Sequence, residues 1–247
     1  MHPRQLVIVP LASFLFLLLT SPANAQTAND PRWSVDVGIG FDNSISGNIN
    51  SGAFGRLNKL PVVITKNTYE DVYGTGLHMR FGGGYMLDEN TEVRGIFTFQ
   101  SLDADLTTMG EVGSANLYGQ YSDYQALTLD AVYRRYSRVS RNVRAYGEGT
   151  IGFGFVDKTD VILLAPAINF SRDATDFYDQ TAAFTLGTNA GLMFDIGKKL
   201  DFFGQVGFRY VTGMAEVDAL TGTGLETIND KSARWTFPFV VGIRMRF

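Results

Sequence analysis

At 247 residues, with a formal net charge of -4 and no cysteine, the chain has no disulfide framework, no lipid-modified cysteine and no basic stripe for a nucleic acid. Past the N-terminus no apolar run reaches the roughly 20 residues of a spanning helix, so a helical membrane protein is excluded. A closed β-barrel is not, because its apolar residues alternate with polar ones and hydropathy averages them away.

The chain begins with a basic Arg4, an apolar run from Leu6 to Leu19 and the small-residue site Ala23-Asn24-Ala25. This is the pattern of a secretory signal peptide cut after Ala25. A membrane anchor is the competing reading, but the run is short and Pro10 interrupts it. Residues 1–25 are therefore expected to be the signal. Residues 26–247 are expected to form one domain, since no Pro/Ser-rich linker or charge block divides them.

Strict alternation then takes over. In "RWSVDVGIGF", Trp33, Val35, Val37, Ile39 and Phe41 share one face, against Ser34, Asp36, Gly38 and Gly40. "TGLHMRFGGGYML" sets Leu77, Met79, Phe81 and Tyr85 against His78, Arg80, Gly82 and Gly84. The tight "DEN" returns it into "TEVRGIFTFQ", with Val93, Phe97 and Phe99 against Glu92, Arg94 and Thr98. "YQALTLDAVYRRY" and "VRAYGEGTIGFGF" repeat the hairpin. "AFTLGTNAGLMFDI" and "DFFGQVGFRYV" form a third across "GKK". The closing strand, "WTFPFVVGIRMRF", places Trp235, Phe237, Phe239, Val241, Ile243, Met245 and Phe247 on one face and Arg234, Arg244 and Arg246 on the other.

These are about eight strands, an even number in antiparallel order, each near the length that crosses a bilayer when tilted. Short turns alternate with four long polar segments: Asp42 to Asp71, Leu102 to Asp123, Asp157 to Gln180 and Thr212 to Lys231. That asymmetry predicts an all-β, eight-stranded antiparallel transmembrane β-barrel with short periplasmic turns and long outer loops. A soluble up-and-down barrel would carry the same alternation turned inside out. Aromatics on the apolar face, glycines on the other and the signal peptide favour lipid outside and a polar lumen inside.

On these residues the chain resembles the small eight-stranded outer-membrane barrels of Gram-negative bacteria, similar to the OmpA transmembrane domain and the opacity-type surface antigens. The likeness runs from Arg32 to Phe247, without the peptidoglycan-binding domain that follows the OmpA barrel. It implies an outer-membrane location, a lipid environment and a monomer. The ending "VGIRMRF" looks like the terminal signature read by the barrel-assembly machinery, which would make Val241, Ile243, Met245 and Phe247 the assembly signal.

Candidate chemistry is concentrated in the lumen. Asp36, Arg80, Arg94, Asp130, Glu148 and Arg209 all fall on inward positions, where charges in a narrow interior need opposite partners. A salt-bridge plug is the expected use, and a narrow small-solute channel is the alternative. Some barrels of this kind resemble outer-leaflet lipid-modifying enzymes, which need a His placed with Ser and an acid. After the signal the sequence has a single His, His78, whose strand carries Arg80 on the same face, so no catalysis is expected. No cofactor, metal or nucleic-acid partner is expected either. Function is thus expected at the loops, in structural or surface interaction with an extracellular ligand or host surface. The apolar run "VILLAPAINF" in the third loop makes Ile162, Leu163 and Leu164 the interaction candidates, with packing into a β-extension as the competing reading.

Overall fold

The computed structural model describes residues 32–57, 59–217, 220, 222–229 and 232–247. The signal peptide expected at residues 1–25 lies outside the described residues. In chain order the elements are β1 (Trp33–Asn50), β2 (Ala53–Leu57), β3 (Leu60–Ile64), β4 (Asn67–Thr68), α1 (Tyr69–Val72), β5 (Gly76–Asp88), β6 (Thr91–Leu102), β7 (Leu106–Val112) and β8 (Ala115–Tyr121). Then follow β9 (Tyr124–Ser140), β10 (Val143–Val156), β11 (Thr159–Ala165), β12 (Phe170–Asp179), β13 (Thr181–Asp195), β14 (Leu200–Val211), β15 (Ala215–Glu216) and β16 (Arg234–Arg246).

Eight long antiparallel strands, in the order β16-β14-β13-β10-β9-β6-β5-β1, close on themselves through β16 and β1. Closure leaves no free edge in the wall, which any sheet in hydrocarbon requires. The seam runs from Ser34 opposite Arg246 to Gly47 opposite Arg234. Its lower end is fastened by the last residue: the Phe247 N–H donates to the Trp33 carbonyl at 2.8 Å, and the Trp33 N–H to the Phe247 carbonyl at 3.4 Å. The terminal ring is thus held as the final rung of the ladder.

The wall reverses the burial order of a water-soluble protein. On β1 the apolar Trp33, Val35, Val37, Ile39 and Phe41 are 40–63% exposed, while Ser34, Asp36 and Asp42 are buried. Rings continue this belt around the barrel, with Phe41 stacked on Phe239, Phe153 against Phe184, and Tyr210 against Trp235. Exposed rings and aliphatics outside with buried charge inside suit hydrocarbon around the wall, and the lipocalin-type arrangement is ruled out.

The four long segments are not the polar loops that their Gly, Asn, Asp and Thr content suggests. Most of the length of the first three is strand, and the fourth contributes the two-residue β15. The connections carry β2, β3, β7, β8, β11, β12 and β15, which pair into a second sheet in the order β15-β12-β11-β8-β7-β3-β2. This sheet curls over the barrel mouth around its own apolar core, with Ile49, Leu57, Leu117, Leu163, Phe177 and Leu225 among the residues at its centre. The reason lies in the alternation within short strands. In β8, Ala115, Leu117 and Tyr121 point inward while Asn116 and Gln120 face out.

Candidate functional site

The candidate site has two parts, the filled lumen and the cap above it. The six lumen residues read from the sequence all point inward and are at least 92% buried. Their geometry shows them as parts of a larger network. At the lower end, Glu92 on β6 accepts from Ser34 Oγ and Tyr136 Oη, each at 2.6 Å, and pairs with Arg244 at 2.8 Å and Arg94 at 3.0 Å. Arg94 also contacts Asp36, and Gly82 makes that contact possible: a Cβ there would stand 2.8 Å from Arg94 Nη2 and 2.9 Å from Asp36 Oδ2.

One layer up, Glu148 on β10 is clamped by its neighbour in register on β9, Arg134, whose Nε and Nη2 reach the same oxygen at 2.7 and 2.6 Å. Its other oxygen accepts from Asn189 Nδ2 at 2.8 Å and lies 3.9 Å from Arg80 Nη1. Asp130 is held by Arg209 and by the Thr185 hydroxyl at 2.8 Å. Near the mouth, Asp42 accepts from Gln100 at 2.8 Å and Thr236 at 3.0 Å, while Arg234 donates to Gln100 Oε1 at 3.0 Å and stacks over the Tyr124 ring at 4.0 Å.

Sequence reasoning left Glu92, Arg134, Arg234, Arg244 and Asp42 out of this network. Parity alone puts Glu92, Arg234 and Arg244 on inward faces. What parity does not supply is register: Glu92 and Arg244 stand 152 positions apart and meet only because the barrel closes.

Between these layers one small cavity of about 30 Å³ remains, lined by His78, Arg80, Asp130, Glu148, Thr150 and Arg209 among others. It has room for about one or two waters. His78 is buried here, opposite Gly40 and Gln100 in register, inside the wall near its mouth end.

The cap closes the mouth. Tyr69 and Tyr73 stack in parallel above Arg234, and each meets Tyr124 edge-on. Burial raises the hydroxyl pKa of Tyr69, Tyr73 and Tyr121, so all three stay protonated and donate. Tyr69 donates to the Ser232 carbonyl at 2.9 Å, Tyr73 to the Ser122 carbonyl at 3.1 Å and Tyr121 to Asn50 Oδ1 at 3.0 Å.

Of the loop candidates, Leu163 is 2% exposed and belongs to the cap core. The expectation that it meets a partner is corrected: β11 alternates, and its odd positions Val161, Leu163 and Ala165 face in. Ile162 and Leu164 are half-buried on the outer face, opposite Gln120 and Tyr118 of β8. The terminal-strand residues Ile243, Met245 and Phe247 are about half exposed on the outside of the wall, with Val241 partly covered above them.

No family model matches the chain, and no curated protein does. Among solved structures it is similar to Neisserial surface protein A, at 10% identity and a TM-score of 0.46, covering 87% of this chain and 97% of that one. It is similar to OprG from Pseudomonas aeruginosa at 11% identity and a TM-score of 0.48, covering 91% and 99%. Ail of Yersinia pestis matches at 13% identity and a TM-score of 0.35, covering 87% and 99%.

Proposed function

We propose that this protein, a small eight-stranded β-barrel of the outer membrane, is a closed anchor that presents a folded β-sheet cap for interaction at the cell surface. The observation that carries the reading is the double obstruction of the lumen: charge-paired layers fill the barrel, and an apolar core seals its mouth. An eight-stranded barrel is only wide enough to be filled by side chains, so paired charge there acts as a plug. The reading has the barrel working as a monomer in outer-membrane lipid, inserted by the barrel-assembly machinery through its last strand, and without catalysis.

On the outer face of the cap, two rows cross β7, β8 and β11: Leu106, Gln120 and Ile162 in one, and Thr108, Tyr118 and Leu164 in the next. Leu106 is 58% exposed, and with its neighbours it offers an apolar strip to an extracellular ligand or host surface. The test is binding of the nanodisc-embedded protein to arrays of extracellular-matrix proteins and glycans. Selective binding that falls when Leu106, Ile162 and Leu164 are replaced by Ser supports the reading. Binding unaffected by the triple replacement would remove the strip from the function.

A further inference from the structure

The lumen network leaves one arginine without close company. Between the cap and the lower rim, six arginines are buried among the described residues: Arg80, Arg94, Arg134, Arg209, Arg234 and Arg244. Six carboxylates are buried with them: Asp36, Asp42, Glu92, Asp130, Glu148 and, opposite Arg244 in register, Asp201. At the rim the part-exposed Arg144 and Arg246 also meet Asp201, together with Asp195. Buried arginines and buried carboxylates are thus equal in number, and what distinguishes the arginines is how closely each is met, since a buried charge needs close partners.

Among the buried arginines that form ion pairs, Arg80 stands farthest from its nearest carboxylate. Asp36 is taken by Arg94, and Glu148 by Arg134 and Asn189, so Arg80 is left with contacts of 3.6 Å to Asp36 and 3.9 Å to Glu148. Those exceed hydrogen-bond length. Its Nε and Nη2 have no hydrogen-bond partner, and its side chain is 3% exposed. Arg80 lines the lumen cavity, together with His78, whose Nδ1 is also unpartnered, and Arg209. Asp130 and Glu148 line it too, but their charges are met by Arg209 and Arg134.

We propose that this cavity is a binding site for one small monovalent anion of the halide class, held chiefly by the free edge of the Arg80 guanidinium. The volume of about 30 Å³ suits a single monatomic ion and excludes sulfate or an organic acid. Thr98 and Thr150 supply neutral hydroxyl donors on the lining. The ion uses donors that the protein leaves unmet. It is enclosed when the barrel folds, so its effect appears in the folding equilibrium.

The test is refolding from urea into detergent micelles at constant ionic strength, with sodium chloride progressively replacing sodium gluconate, whose anion is too large to enter. A ligand bound only by the folded state raises the folded-to-unfolded ratio about tenfold for each tenfold rise in its concentration above the dissociation constant. The expected result is that slope for chloride and bromide, absent in Arg80→Met. Crystals grown in bromide, which need no variant, should show anomalous density in the cavity beside Arg80. A midpoint independent of chloride in the unaltered protein, with no bromide density in the cavity, would mean that it holds water only and would overturn the proposal.

Discussion

Glu148 shows what a single buried charge does here. It accepts one hydrogen bond from Arg134 Nε and one from Asn189, with Arg134 Nη2 in an ion pair at 2.6 Å and Arg80 nearby. Glu148→Gln keeps the shape and removes the charge, leaving Arg134 buried and uncompensated. Breaking one side of a buried pair costs about 3–5 kcal/mol, so the urea midpoint of the refolded barrel should drop clearly. An unchanged midpoint would mean that water reaches Glu148. Phe247 tests a different quantity. One apolar side chain contributes about 1.5–3 kcal/mol by burial, and the ring is about half exposed to lipid. If Phe247 is an assembly signal, its deletion should cut outer-membrane yield in cells far more than it impairs refolding into vesicles, where no machinery is present. Equal impairment in both settings would make the ring an ordinary part of the wall.

Among the elements, β11 separates cap from barrel. Leu163 sits in the cap core and Ile162 on its outer face. Leu163→Ala removes buried methyl groups, which costs about 2–5 kcal/mol when the site cannot collapse. That loss falls on the cap, since β11 pairs only with β8 and β12. Limited proteolysis should therefore begin to cut between residues 157 and 180, while the slower gel migration of the heated sample, a signature of the folded wall, is retained. Ile162→Ser should leave both unchanged. If Leu163→Ala abolished the folded band, wall and cap would be a single cooperative unit.

The wall strands were legible in the sequence because lipid outside and charge inside enforce a period of two over nine or more residues. Trp33 to Phe41 and Trp235 to Phe247 show it without a break. The cap was hidden for a compositional reason. Its strands are five to ten residues long apart from the short β4 and β15, and turn-forming residues such as Gly113 and Asn169, both with positive φ, dominate the reading around them. In the lumen, the inward side of each charge followed from parity. Partners did not, because Arg244 meets Glu92 and Arg234 meets Tyr124 only across the interior of a closed, staggered barrel.

At the scale of the whole molecule, the charged layers and the cap core lie one above another along the described barrel. Glu92 and Glu148 cross-link β5, β6, β9, β10, β13 and β16 through their partners across the interior. Above them Arg234 lies under Tyr69 and Tyr124, and the cap core lies above those rings. The most direct test is the conductance of the purified protein in planar lipid bilayers. The account predicts a flat baseline with rare, small openings from fluctuations of the network. A steady conductance proportional to voltage, seen with the unaltered chain, would contradict it and make the lumen a channel.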